Sequence, residues 1–277
     1  MSSEVAIVVR LNVSPKKESQ YLPIIERIFF NHYVDGATSV TFAREEINHV
    51  ADDLGVERIK NLGDIIYYFR HRHVLPKSIT DLAPGNHWVI VDENESIYRF
   101  EIRDEIHIVP SPLMAVTKIP DSTPGVIQNY ALDDEQSLLA MLRYNRLLDI
   151  FVGTACYSLQ SHLKTRIDGS QTETDEIYIG IGRNGAHYVL PVQAKGHKDK
   201  LGIVQIERDF RLCEVKFPSL IARPIGAQFM RDDVIALFDF VKDSNDGVRV
   251  ANEQHYRLVP PTDLTSDELE EYRSRAL

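Results

Sequence analysis

Glu173-Thr-Asp-Glu-Ile-Tyr-Ile-Gly-Ile-Gly-Arg-Asn-Gly-Ala-His-Tyr-Val-Leu-Pro-Val-Gln-Ala-Lys195 is the run on which the fold turns. Ile177, Ile179 and Ile181 alternate with Tyr178 and Gly180, and 186–192 is again apolar and rich in strand-forming residues. Between them Asn184-Gly185 signals a tight hairpin turn in which both residues take positive φ. Folding there returns the Asp175 end of the first strand to the Gln193-Ala-Lys195 end of the second. A side-chain period of two places Tyr188, Leu190, Val192 and Ala194 on one face and Gln193 and Lys195 on the other. One strand end thus gathers acids, an amide and an amine.

Those groups suit a hard divalent cation, which takes oxygen ligands: Asp175, Glu173 and a carbonyl at Gln193. Lys195 adds a fixed positive charge that could orient a water or stabilise charge on a phosphoryl group in flight. Gly180-x-Gly182-x-x-Gly185 also matches a dinucleotide-binding fingerprint. That reading fails on context, because a β-rich run containing Pro191 follows where a helix should receive the pyrophosphate.

An acid at the start of one strand followed by Gln-x-Lys at the end of the next resembles the signature of the PD-(D/E)XK nucleases, the superfamily of many restriction endonucleases. The order of elements is similar too. A helical region over about 137–164 precedes the hairpin, another over about 200–213 follows it, and 220–229 reads as a further strand. The resemblance covers the second half of the chain and implies an α/β fold with an αβββαβ core, a mixed sheet flanked by helices, whose early strand is unassigned. It further implies Mg²⁺, replaceable by Mn²⁺, with Asp175 and Gln193 as metal ligands and Lys195 positioning the water. Glu173 or the helix acid Asp149 would assist the metal, and hydrolysis would leave a 5′-phosphate. The chain departs from the family pattern in three places: no proline precedes the first acid, Gln193 stands where Glu is more frequent, and Pro191 lacks an N–H, predicting an edge strand or a bulge.

The whole chain bounds these readings. With 277 residues and 43% hydrophobic composition it can bury a substantial core. No run approaches the roughly 18 apolar residues of a membrane span, so no membrane partner is expected. Cys156 and Cys213 lack metal-ligand spacing and fall in expected helices, which predicts reduced, packed thiols in a cytoplasmic protein. The formal charge of -10 opposes indiscriminate nucleic-acid binding, so contact with a phosphate backbone must rest on local patches. His197, Lys198 and Lys200, following Lys195, form one such patch.

Before the proline-containing stretch 109–125 the pattern changes, which divides the chain into a domain over 1–112, a linker over 113–125 and a domain over 126–277. Ile47, Val50, Ala51 and Leu54 predict a helix ended by Gly55; Leu62, Ile65, Ile66 and Phe69 predict a second. Trp88-Val-Ile-Val91 and Ile97-Tyr-Arg-Phe-Glu-Ile102 read as a hairpin. Helices followed by a hairpin resemble a winged helix-turn-helix, an α+β module that docks on double-stranded DNA. The resemblance implies phosphate or base contacts from Lys60, Arg70 and Arg72. Near the end, the helix over 200–213 has an apolar stripe of Ile203, Ile206, Phe210 and Cys213, with Gln205, Glu207 and Arg208 off it towards the cleft. Thr265-Ser-Asp-Glu268 is a capping box opening a last helix.

The expectation from these readings is a Mg²⁺-dependent DNA endonuclease of the restriction or phage-defence kind, acting as a homodimer on palindromic targets. The alternatives are a non-enzymatic DNA-binding regulator and a nuclease of the same fold acting on RNA or branched DNA.

Overall fold

The computed structural model describes residues 15–71, 73–94, 96–103, 107–130, 135–168, 170–242 and 247–275. Arg72 lies outside them. The chain forms two compact units, Met1–Ile106 with Asp168–Ser170, and His107–Ile167 with Gln171–Leu277.

The first unit runs α1 (Pro15–His32), β1 (Ser39–Ala43), α2 (Glu46–Asp53), α3 (Leu62–His71), α4 (Lys77–Thr80), β2 (His87–Asn94) and β3 (Ile97–Arg103). Its sheet has the order β1-β3-β2, both pairings antiparallel. Helix α1 was not anticipated, although Tyr21, Ile24, Ile25, Ile28 and Phe29, all buried, repeat at the spacing of one helix face. Phe29 meets Trp88 and Phe100 edge-on at 5.0 and 5.1 Å, which ties α1 to both hairpin strands.

The second unit runs β4 (His107–Ile108), β5 (Val116–Pro120), α5 (Gly125–Gln128), α6 (Glu135–Tyr144), α7 (Leu147–Val152), β6 (Ala155–Ile167), β7 (Ser170–Ile181), β8 (His187–Lys195), β9 (Leu201–Gly202), α8 (Ile203–Lys216), β10 (Ile221–Ala222), β11 (Ile225–Phe229), β12 (Val234–Lys242), β13 (Val248–Val259) and α9 (Ser266–Arg275). Its large sheet is mixed, in the order β5-β13-β12-β11-β8-β7-β6. Strands β7 and β8 are antiparallel, β8 and β11 parallel through the α8 crossover, and β11 and β12 antiparallel. One face carries α6 and α7 over Tyr178, Leu190, Val192 and Ala194; the other carries α8 over Ile177 and Val189. Among the described residues no helix is long and apolar enough to cross a membrane.

Four expectations are corrected. The region 137–164 is not one helix: α6 ends at Tyr144, Arg146 and Gly153 take left-handed φ of 51 and 67°, and β6 begins at Ala155. Tyr157, Leu159 and Leu163 repeat with period two there, so Cys156 lies in a strand, β6, that precedes β7. The stretch 113–125 is more than a linker, because β5 pairs in parallel with β13 and Lys118 N–H donates to the Tyr272 hydroxyl of α9.

Strand β8 is central, contrary to the edge position that Pro191 suggested. The Ala194 N–H points towards β7, so by alternation the missing N–H of Pro191 faces the other way. On that side Arg223 N–H donates to Val189 C=O at 2.9 Å, and the ladder breaks between Ala222 of β10 and Ile225 of β11, where Pro191 has no N–H to give. Finally, the turn between β7 and β8 spans 182–186 and only Gly185 takes positive φ, 79°; Gly182 N–H donates to Ala186 C=O and Gly185 N–H to Gly182 C=O, both at 2.9 Å. A longer turn around one left-handed glycine replaces the two-residue type.

Candidate functional site

Register carries Asp175 to the end of β8. The last paired residues are Glu176 and Val192, and beyond them the Asp175 side chain takes the place of the ladder: Ala194 N–H donates to its Oδ2 at 2.8 Å. The Gln193 amide, 2% exposed, donates through Nε2 to the Glu173 carbonyl at 3.2 Å and to Asp209 Oδ2 at 3.0 Å. Lys195 extends its Nζ to Glu135 Oε1 at 2.9 Å. Asp175, Gln193 and Lys195 are therefore brought together, and the Glu173 backbone joins them. The Glu173 carboxylate turns outward to Lys164 Nζ at 3.0 Å.

Asp149 does not join this group. Its carboxylate accepts from Arg146 and from Cys156 N–H, at the end of the sheet where Thr154 lies beside Gly180. Asp175 lies five residues further back along β7, roughly 16 Å at strand rise. The helix acid that reaches the site is Glu135, the first residue of α6, which sequence reasoning passed over because it precedes the apolar stripe. Glu176, the neighbour of Asp175, faces α6 on the opposite side of the sheet, where Arg143 and Ser158 bond its Oε1.

A second residue was also missed. Asp209 of α8 is completely buried, and its two oxygens accept from Thr174 Oγ1 at 2.6 Å and from Gln193 Nε2. The signal was present in the sequence, since Asp209 lies among Ile206, Phe210 and Cys213 on the apolar stripe, and an acid there needs a partner. Gln205, expected in the cleft, instead accepts from Gly202 N–H at 3.3 Å at the start of α8.

The electrostatics follow from burial and neighbours. Burial pushes the Asp175 carboxyl up and Glu173 adds to the shift, against the Ala194 N–H, Lys195 and His162. Burial raises Asp209 further, to about 7, despite the bonds from Thr174 and Gln193. Burial alone would lower the Lys195 ammonium, but Glu135, Asp175 and Asp199 hold it above the ordinary lysine range. His162, facing Asp175 electrostatically, sits at a left-handed φ of 50° within β6.

The donor set fits a hard divalent cation. Asp175 and the Gln193 carbonyl supply oxygens only, with no sulfur or imidazole between them, and a cation would relieve the desolvated Asp175 carboxylate. Among the described residues no three His, Cys, Asp or Glu converge as a metal group. A cation held by two side chains would complete its shell with water and phosphate oxygens, as Mg²⁺ commonly does.

The residues expected to meet nucleic acid divide. His197, Lys198 and Lys200 are exposed in the loop after Lys195; the His197 ring lies 5.0 Å from that of Phe229. Lys60 is exposed between α2 and α3. Arg70 is the exception: its side chain is 6% exposed, it donates to Ile90 C=O at 2.6 Å and to Asp92 Oδ2 at 2.9 Å, and it lies over the Tyr98 ring. It ties α3 to the hairpin and cannot at the same time bind a phosphate. Comparisons with protein-family models, curated proteins and solved structures return no match to this chain.

Proposed function

We propose that the second unit is a Mg²⁺-dependent phosphodiesterase of the PD-(D/E)XK kind that cleaves DNA. The single observation carrying this reading is the convergence of Asp175, Gln193 and Lys195 at one strand end, with Glu135 reaching Lys195 from α6. The sequence of elements supports it: helices α6 and α7, strands β6, β7 and β8, the α8 crossover, and β11 parallel to β8 follow the αβββαβ order.

In this reading Asp175 and the Gln193 oxygen hold the cation, and Glu135 fixes Lys195. A bound divalent cation supplies Lewis-acid polarisation of a phosphate oxygen and charge neutralisation at the leaving group. Lys195, held protonated by its carboxylate neighbours, donates hydrogen bonds to the attacking water or to a phosphoryl oxygen and does not act as a base. Lys198 and Lys200, beside His197, offer the local positive field that a chain of net charge -10 needs beside a phosphate backbone.

For the first unit, the order α1-β1-α2-α3-α4-β2-β3 with a β1-β3-β2 sheet supports a winged-helix reading, and DNA as its partner. Cutting both strands of a palindromic duplex calls for two copies related by two-fold symmetry.

Incubation of wild type, Asp175→Ala and Lys195→Ala with mixed duplex DNA and Mg²⁺ tests the proposal. Cleavage by wild type and loss in both folded variants supports it. Equal cleavage by all three removes these residues from the chemistry, and no cleavage of DNA or RNA by wild type, with no Mn²⁺ binding, favours a non-enzymatic regulator.

A further inference from the structure

Gln193 stands where a carboxylate would be the stronger metal ligand, and the surroundings of its amide explain how it could serve. The two groups that face Nε2 are the Glu173 carbonyl and the Asp209 carboxylate, at 3.2 and 3.0 Å. A carbonyl can only accept, so the nitrogen is the end of the amide that belongs there and the oxygen is turned away from it. Asp209 is in turn held by Thr174 Oγ1, which occupies its second oxygen at 2.6 Å. The chain Thr174, Asp209, Gln193 is built from β7, α8 and β8, and the Asp209 and Thr174 side chains are fully buried.

We propose that Asp209 is the positioning residue of this site, holding the Gln193 amide with nitrogen inward and oxygen outward so that a glutamine can serve as a metal ligand. The inference rests on the metal-site reading given above. It also accounts for the residue type at 193: a glutamate there would offer no donor to the Glu173 carbonyl and would set a second carboxyl group against Asp209 in a buried space. The identities at 193 and 209 are thus linked. Amide at 193 goes with acid at 209, and acid at 193 goes with amide at 209, where Asn Nδ2 would donate to the new carboxylate and Asn Oδ1 would accept from Thr174.

Mn²⁺ alone is the probe, titrated into wild type, Asp209→Leu, Gln193→Glu and the double variant Gln193→Glu/Asp209→Asn, with free Mn²⁺ followed by electron paramagnetic resonance and folding by thermal melts. Asp209→Leu is expected to fold and to lose about 10-fold or more in Mn²⁺ affinity, the usual cost of removing an outer partner of a ligand. Gln193→Glu is expected to lower both Tm and affinity, and adding Asp209→Asn to recover both. Should Asp209→Leu not fold, the comparison of Gln193→Glu with the double variant decides. Wild-type Mn²⁺ affinity in a folded Asp209→Leu, or no recovery in the double variant, overturns the positioning role alone. Wild type that binds no Mn²⁺ overturns the metal reading and this inference with it.

Discussion

Lys195 Nζ lies 2.9 Å from Glu135 Oε1, joining the last residue of β8 to the first residue of α6. The bond draws an ammonium that burial would otherwise weaken into a fixed, charged position beside Asp175. Under the proposed chemistry, Lys195→Ala is expected to lower the rate of DNA cleavage by about 10²-fold or more, the scale of losing one preorganised donor to a charge-bearing transition state. Glu135→Gln, which keeps an acceptor but removes the countercharge, is expected to lower the rate less. Single-turnover cleavage with saturating Mg²⁺ measures both, and equal losses would point to Glu135 as a ligand in its own right.

Asp209 makes stability depend on pH in a definite direction. Its carboxyl is raised from 3.8 to about 7 in the folded protein. The folded state therefore holds a proton that the unfolded state releases, so its contribution is fully present below about pH 3.8 and is lost as pH rises through about 7. Asp209→Asn removes this titration. In chelator-containing buffer, the Tm of Asp209→Asn relative to wild type is expected to increase from pH 5 to pH 8; a difference constant over that window would show that Asp209 is ionised throughout.

Arg70 offers a test of structure against recognition in the first unit. Removing it takes the guanidinium away from a largely buried Asp92, so Arg70→Ala is expected to destabilise the protein by about 3 kcal/mol, as for other broken buried pairs. Lys60→Ala, at an exposed site, is expected to leave stability within about 0.5 kcal/mol. Urea denaturation of the two variants distinguishes these outcomes.

Both cysteines are free and buried. Burial pushes the Cys156 thiol up to about 11, aided by Asp149, and the Cys213 thiol higher still, aided by Asp209 and Glu214. Native protein at pH 8 is expected to react with neither equivalent of a disulfide reagent, and unfolded protein with both. Rapid labelling of one thiol in the native state would locate a local opening.

Much of the site could be read from its own hairpin. The alternation over 177–181 and 186–192 and the glycine at 185 are short-range signals, and they sufficed to bring Asp175 alongside Gln193 and Lys195. The capping box at Thr265 and Glu268 was equally local: Glu268 N–H donates to Thr265 Oγ1 and Thr265 N–H to Glu268 Oε2. Strand β6 is masked in the sequence by the helix-like apolar spacing over 138–152 that runs up to Gly153, and its own alternation begins only at 157.

What the sequence by itself determined is the set of elements whose code fits within a few residues: the hairpin, the sorting of its two faces, the helices α2, α3, α8 and α9, and the strand end where polar groups collect. What only the tertiary structure decided is which distant groups meet there. Glu135 reaches Lys195 from 60 positions away, Asp209 reaches Gln193 from 16, and Arg70 turns inward to Asp92 across 22. The physical reason is that periodicity and turn chemistry act through the local backbone, whereas a buried charge takes its partner from whatever element packs against it.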